Sequence, residues 1–439
     1  MKLESIHSTL SCLRCDAPER AASCETCAEL GPALEWLPDL ERLDGAELAE
    51  TFRQRRLAKQ GPDRSGVWRY RELIAPGLPL EAMVTRFEGN TGLYPVAGVA
   101  RWAGLTSGEL RLKHEGENPT ASFKDRGMCV GISLAIAEGA KIVACASTGN
   151  TSASLASYAA LAGVPGVVFV PAGKISSGKM AQTIAYGARV LEVEGSFDLA
   201  MQLVEEASAR FGLGLLNSVN PWRIEGQKSI GLEILDDLDW EAPDWIVLPS
   251  GNLGNVSALG KALREAHAIG LIDRLPRVAC VQADGAAPFA RWIQGHRAGT
   301  ADTFLAEPEP ETIATAIRIG NPRSWEKATR ELDHLQGVCL SVSDSEILAA
   351  KEQIDASGVG CEPASAASVA GLKRLVAEGT IAPDARVVGI LTGHLLKDPV
   401  TTAQFHDGQL KDARPTRTTR QTVDADLDAI GAALADLLQ

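Results

Sequence analysis

The sequence predicts an α/β protein whose parallel sheets are covered by helices on both faces. Two observations predict it. From residue 140 onward, short continuous apolar runs alternate with longer helical patterns, and strands that are apolar throughout belong to parallel sheets buried on both sides. Glycine- and hydroxyl-rich loops then stand at the strand-to-helix junctions, where sheets of this kind bind ligands. The bulk figures agree, with 45% hydrophobic and 23% charged residues in a chain of 439, long enough for two or three domains. A net charge of −13 argues against nucleic acid as a partner, because phosphate contacts need clustered Lys and Arg. No apolar run approaches the roughly 20 residues that span a bilayer. The first ten residues lack the basic and apolar blocks of a signal peptide, so the expected location is the cytoplasm.

In chain order, the first informative feature is a pair of Cys-X-X-Cys turns, Cys12 with Cys15 and Cys24 with Cys27. Two such turns can aim four thiolates at one point, which satisfies tetrahedral zinc and leaves no open position for a substrate. A structural, zinc-ribbon-like site is therefore expected there. The other cysteines, Cys129, Cys145, Cys280, Cys339 and Cys361, lie in apolar settings and read as small core residues. Residues 36 to about 80 are polar and mixed, with Arg55, Arg56 and Lys59 in a helix, and read as a connector to the main body.

Residues 118–126 read Asn-Pro-Thr-Ala-Ser-Phe-Lys-Asp-Arg. Here a turn signal and two hydroxyls lead into a lysine, Lys124, that precedes a long helical pattern. Strands are expected at Ile142–Ala146, Gly166–Val170, Ala188–Val193, Trp245–Leu248, Arg277–Val281 and Ala385–Leu391, with helices over Ser152–Leu161 and Lys179–Tyr186.

Three strand ends carry loops with binding chemistry. Ser147-Thr-Gly-Asn-Thr-Ser152 opens a helix, so its backbone N–H groups and the helix dipole make an anion site. Its run of polar residues and glycine exceeds what capping alone needs. Pro249-Ser-Gly-Asn-Leu-Gly-Asn255 can form a nest of N–H groups for a phosphate, and it is neither a Walker A loop nor a full dinucleotide fingerprint. Thr392, before Gly393 and His394, can present one hydroxyl. Between these loops, Asn217 to Lys228 offers an amide and, at Arg223, a planar fork suited to phosphate or carboxylate. The plainer alternative there is an exposed loop with an Arg223–Glu225 ion pair. The tail from Asp412 has Val423, Leu427, Ile430, Leu434 and Leu437 at helical spacing, which suits core docking or dimer packing.

These motifs, in this order, resemble the threonine synthases. The resemblance continues through Ala316-Ile-Arg-Ile-Gly-Asn-Pro322, Glu362-Pro-Ala-Ser-Ala-Ala-Ser368 and Thr392-Gly-His-Leu-Leu-Lys-Asp-Pro399, and it spans roughly residues 85–400. The lysine, asparagine and glycine motifs are shared across the fold type II pyridoxal phosphate enzymes; the Asn217–Lys228 stretch and the segments ending at Pro322 and Pro399 narrow the match.

The resemblance implies a fold of two three-layer αβα domains with the active site between them, plus the small N-terminal segment. The corresponding divisions are 1–35, 36–125 with 216–410, 126–215, and a helical tail at 411–439. It implies pyridoxal phosphate bound at Lys124 as a Schiff base, with Asn150 at the phenolic oxygen and Gly251, Asn252, Leu253, Gly254 and Asn255 around the phosphate. Thr392 would face the pyridine nitrogen. Ser147, Thr148 and Thr151 would hold the substrate carboxylate, and Asn217 and Arg223 its phosphate. The implied substrate is O-phospho-L-homoserine, turned over by a homodimer. Two departures stand out: Ala121 replaces a common glycine, and Leu395 replaces another. The nearest alternatives are a threonine or serine dehydratase, a cysteate synthase, or a homologue without turnover that binds a ligand or partner.

Overall fold

The computed structural model describes residues 8–13, 18–19, 34–173, 177–195, 197–218, 220–410, 415 and 421–435. The chain begins with three short strands, β1 (Ser8–Cys12), β2 (Pro18–Glu19) and β3 (Leu34–Pro38), in an antiparallel sheet ordered β2-β1-β3. Cys12 closes β1 and is buried; Cys15, Cys24 and Cys27 lie outside the described residues. Among the described residues, no group of three or more His, Cys, Asp or Glu could hold a metal ion.

The body is built on two further sheets. β4 (Leu93–Pro95) and β5 (Glu109–His114) come first, then β6 (Val143–Ala146), β7 (Gly166–Pro171), β8 (Arg189–Val193) and β9 (Gly214–Leu215). The chain returns through β10 (Trp245–Pro249), β11 (Arg277–Ala283), β12 (Val338–Val342) and β13 (Arg386–Leu391). The smaller sheet runs β8-β7-β6-β9 and is parallel throughout. The larger runs β12-β11-β10-β13-β5-β4, parallel except where β4 meets β5. All residues of β6 and β10 are buried, which is why those strands read as unbroken apolar runs. Among the described residues, no helix is long and apolar enough to cross a membrane.

Three expectations are corrected. The helix expected to hold Arg55, Arg56 and Lys59 covers Gly45–Arg56 and closes before Lys59. The presumed connector is embedded in the core: Phe52, Val67, Trp68 and Tyr70 are fully buried, as is nearly all of Arg69. Its polar residues are spent on internal bonds, such as Tyr70 donating to Asp236 at 2.8 Å, so polarity there did not mean exposure. In the tail, the helix Leu427–Ala433 presents Leu427, Ile430 and Leu434 to solvent instead of docking them on the core of this chain.

Two helices bring the ends of the sheets together. Lys124–Ala137 crosses Pro221–Asp237 backbone to backbone. A Cβ on Gly226 would lie 2.1 Å from the Arg126 carbonyl oxygen, and one on Gly127 would lie 2.6 Å from that of Arg223. Every residue from Pro221 to Leu235 is buried, so this helix is packed on all sides, and its charged residues must be paired or serve a ligand. Arg126 meets Glu115 at 2.6 Å and Glu233 at 2.9 Å, and Lys113 meets Glu233 at 2.7 Å.

Candidate active site

The turn before Lys124 is held from several sides. Asn118 accepts from the Gly89 N–H at 2.9 Å and donates to the Glu115 carbonyl at 2.8 Å. Asp125 accepts from the hydroxyls of Thr120 and Ser154 and from the Thr120 N–H, each at 2.6 Å. Burial raises the Asp125 carboxyl to about 6 against these bonds. Ala121, one of the two departures, sits at φ +65°, the left-handed region in which glycine carries no Cβ penalty.

The same turn is sewn to the end of β13. Ser122 bridges Gly393, the Phe123 N–H donates to the Thr392 carbonyl at 3.1 Å, and the His394 N–H donates to the Ala121 carbonyl at 3.0 Å. Thr392 is thereby fixed next to the lysine loop. Its hydroxyl shares a 3.0 Å hydrogen bond with that of Ser365. Leu395, the second departure, packs on Gly360, where a Cβ would lie 2.5 Å from its Cδ2.

Lys124 is the first residue of its helix, with its amine 4.2 Å from the centre of the Phe123 ring. Burial is the main reason its pKa is pushed down to about 7. The Arg223 cation adds to this, and Glu362 opposes it. A lysine at that value is about half neutral amine at pH 7, and so available as a nucleophile.

Asn150 opens the helix Asn150–Ala162 after β6 and points its amide nitrogen at the Glu362 carboxyl, 3.4 and 3.5 Å from the two oxygens. Glu362 is buried, and burial raises it to about 7 despite Lys397, Asn150 and Lys124. Gly393 must be glycine for this to work, since a Cβ there would lie 2.5 Å from a Glu362 oxygen. Ser147, Thr148 and Thr151 line the same partly exposed loop.

After β10, Leu253 takes φ +64° and caps the helix Gly254–Ala268, aiming its first N–H groups outward. Asn252 braces the loop by donating to Ser218 Oγ and accepting from the Arg323 N–H at 2.6 Å. Ser122 Oγ, Ser250 Oγ and both polar atoms of the Asn255 amide are buried with no partner among the described residues. Such orphans are costly unless a ligand completes them. Their position around Lys124 and a helix N-terminus fits a phosphate-bearing aldehyde cofactor.

Arg223 is fully buried, and its Nη1 donates to the Leu216 carbonyl at 3.1 Å. Its Nε and Nη2 have no partner among the described residues. Burial without a carboxylate lowers it to about 10. The plainer alternative is overturned: Glu225 pairs with Lys228 at 2.6 Å and with Lys261, not with Arg223. Asn217 has most of its amide engaged, accepting from the Ala146 N–H at 2.9 Å and donating toward the Met201 sulfur at 3.4 Å, so one amide hydrogen remains for a ligand.

Glu362, Ser365 and Lys397 belong to this cluster and were not singled out as site residues from the sequence. Lys397 donates to Gln182 at 2.6 Å and to the Thr120 carbonyl at 3.2 Å. The available signal was the acid-Pro pair Glu362-Pro363, which opens a helix just as Asn220-Pro221 does.

Comparison with known proteins now separates the possibilities. The family described as "Pyridoxal-phosphate dependent enzyme" matches residues 84–393, and the chain belongs to that family of enzymes. The threonine synthase of Methanosarcina acetivorans is 48% identical over 84% of this chain and 86% of its own. That of Methanocaldococcus jannaschii is 43% identical over 88% and 92%. Within the family, this chain is a member of the threonine synthases. The solved threonine synthase of Escherichia coli shares the fold at TM-score 0.67 and 18% identity, over 90% of each chain. Maize serine racemase shares it at TM-score 0.60 and 21% identity, over 82% of this chain and 95% of that one.

Proposed function

We propose that this chain converts O-phospho-L-homoserine and water to L-threonine and inorganic phosphate. The observation that carries the reading is Arg223, a fully buried guanidinium with two unpartnered donor atoms, electrostatically coupled to Lys124. A dehydratase acting on a free hydroxyl amino acid has no use for it, whereas a phosphorylated substrate does.

Lys124 would hold pyridoxal phosphate through its Nζ. Asn150 would stand at the phenolic oxygen, residues 251–255 at the phosphate, and Thr392 with Ser365 at the ring nitrogen. The cofactor, when bound, supplies the electron sink that makes the α- and β-carbons of an amino acid acidic. Ser147, Thr148 and Thr151 hold the substrate carboxylate and so aim the α-carbon at the lysine. Lys124 Nζ, set free once the substrate amino group has taken its place, would take the α-proton and then shuttle a proton at the β-carbon. Arg223 and the remaining Asn217 amide hydrogen stabilise the charge on the departing γ-phosphate. A neutral hydroxyl at Thr392, where a carboxylate would keep the ring nitrogen protonated, favours elimination over transamination.

The reading includes an active site between a 126–215 unit and the unit formed by 36–125 and 216–410. It also includes a cytoplasmic homodimer, supported by the exposed apolar tail helix. A structural zinc would be held by Cys12, Cys15, Cys24 and Cys27, supported by the paired thiol spacing. The decisive assay measures phosphate release and threonine formation from O-phospho-L-homoserine. Turnover of O-phospho-L-serine, L-serine or L-threonine in its place would overturn the assignment.

A further inference from the structure

The last strand of the N-terminal sheet is fastened to the body at three successive residues. The Leu34 carbonyl accepts from Lys327, Glu35 forms a two-pronged ion pair with Arg330, and the Trp36 carbonyl accepts from Lys261. Burial alone would raise the Glu35 carboxyl, yet Arg330, Lys261 and Lys327 bring it down to about 2, so this fastening is charged at neutral pH. The indole of Trp36 stacks on that of Trp222, with centroids 3.9 Å apart and planes 21° from parallel.

Trp222 precedes Arg223 in the first turn of the helix Pro221–Asp237. Lys261 also binds Glu225, one turn below Trp222. Trp36 therefore grips that turn twice, by its ring on Trp222 and by its carbonyl through Lys261 to Glu225. The turn is also set by Asn220, which caps the Arg223 N–H at 3.2 Å, and by the close crossing of the Lys124 helix at the Arg223 carbonyl. Among the described residues, one of the three Arg223 nitrogens has a hydrogen-bond partner, so its aim depends on the placement of that turn.

We propose that the N-terminal sheet is a positioning element of the substrate-phosphate pocket, acting through the Trp36–Trp222 stack on Arg223. The inference rests on the reading of Arg223 as the phosphate anchor. It gives the cysteine-bearing segment, which the chemistry leaves unused, a part in substrate binding.

The test uses full-length holoenzyme with inorganic phosphate as the probe. Calorimetric phosphate affinity, KM and kcat for the phosphorylated substrate, cofactor absorbance and thermal midpoint are measured for Trp36→Ala, Trp36→Phe and Arg223→Ala. Loss of the stack should weaken phosphate binding and raise KM about tenfold, the size of a typical site-to-site coupling. Cofactor absorbance should stay unchanged, and Trp36→Phe should recover most of the affinity. If Trp36→Ala lowers only the melting temperature while phosphate affinity stays within twofold, the strand is merely a staple and the proposal is wrong. If Trp36→Ala does not fold, Trp36→Leu, which keeps apolar bulk without the stacking face, is judged by the same criteria. Phosphate binding that survives Arg223→Ala overturns the pocket reading, and this proposal with it. Binding lost in Arg223→Ala but intact in the Trp36 variants overturns this proposal alone.

Discussion

Lys124 carries little charge at pH 8, because burial and the Arg223 cation hold its amine at about 7. An ordinary exposed lysine side chain stays charged until pH approaches ~10.4. Acylation of cofactor-free protein, mapped by peptide, should therefore label Lys124 with a half-point near neutral pH, well below the alkaline half-point of an ordinary lysine. Arg223→Leu should move the Lys124 half-point upward, since a repelling cation is removed; a half-point near 10 in the unaltered protein would refute this account. Ala121 offers a second measurement. Its left-handed backbone costs an L-residue ~1–2 kcal/mol, while glycine loses more freedom on folding by ~0.5–1 kcal/mol. Ala121→Gly should thus leave urea stability equal or raise it by up to ~1 kcal/mol, and a clear loss would show that the turn tolerates alanine for another reason. Lys124, Asn150 and Thr392 were legible in the sequence because each sits in a short local motif. Glu362 was not, since it meets Asn150 from 212 residues away and only the folded sheet brings the two together.

The helix Pro221–Asp237 was only half legible. Its Asn-Pro start and its arginine were visible, but so was the tempting Arg223–Glu225 pair, and spacing alone could not show that Lys228 and Lys261 claim Glu225. The helix's other end carries the ion network that ties it to β5 and to the Lys124 helix. Burial would raise the Glu233 carboxyl, but Arg126 and Lys113 overcome it and hold the group well below the usual range. A depressed carboxylate contributes stability above its unfolded value, near ~4.3 for Glu, and loses it as pH falls through the folded value. Glu233→Gln leaves Arg126 and Lys113 short of a counter-charge in a dry site, and should cost ~3–5 kcal/mol at pH 7. The gap to the unaltered protein should narrow below pH 4, as thermal scans across pH would show; a constant gap would mean that packing, not charge, is lost. The strands β1 to β3, β4, β5, β9 and β12 escaped the sequence reading, which placed strands only where apolar runs were flanked by clear helical patterns. Glu109–His114 mixes charge with leucine in part because Lys113 serves this buried network, as does Glu115 just past the strand.

Across the whole molecule, the class of fold was legible from the alternation of runs and helices, but strand order was not. Nothing in the local pattern says that β13 belongs between β10 and β5. A chain ending at residue 385 lacks that strand, Thr392 and the Gly393 against which Glu362 packs, so it should show no cooperative unfolding transition and no cofactor absorbance. A chain ending at 410 keeps every strand and should retain both, with sedimentation reporting whether the exposed tail helix matters for assembly. Retention of both properties by the shorter chain would contradict this strand's central role. The order of the strands also has a consequence for synthesis. A ribosome releases β5 and β10 long before β13, so each emerges with one hydrogen-bonding edge open and waits for a partner encoded well downstream. Open edges invite pairing with other nascent chains, and contacts this distant in sequence form slowly. The polypeptide is therefore most exposed to aggregation just before β13 emerges, and it can first capture its cofactor only once that strand has been threaded into the middle of the sheet.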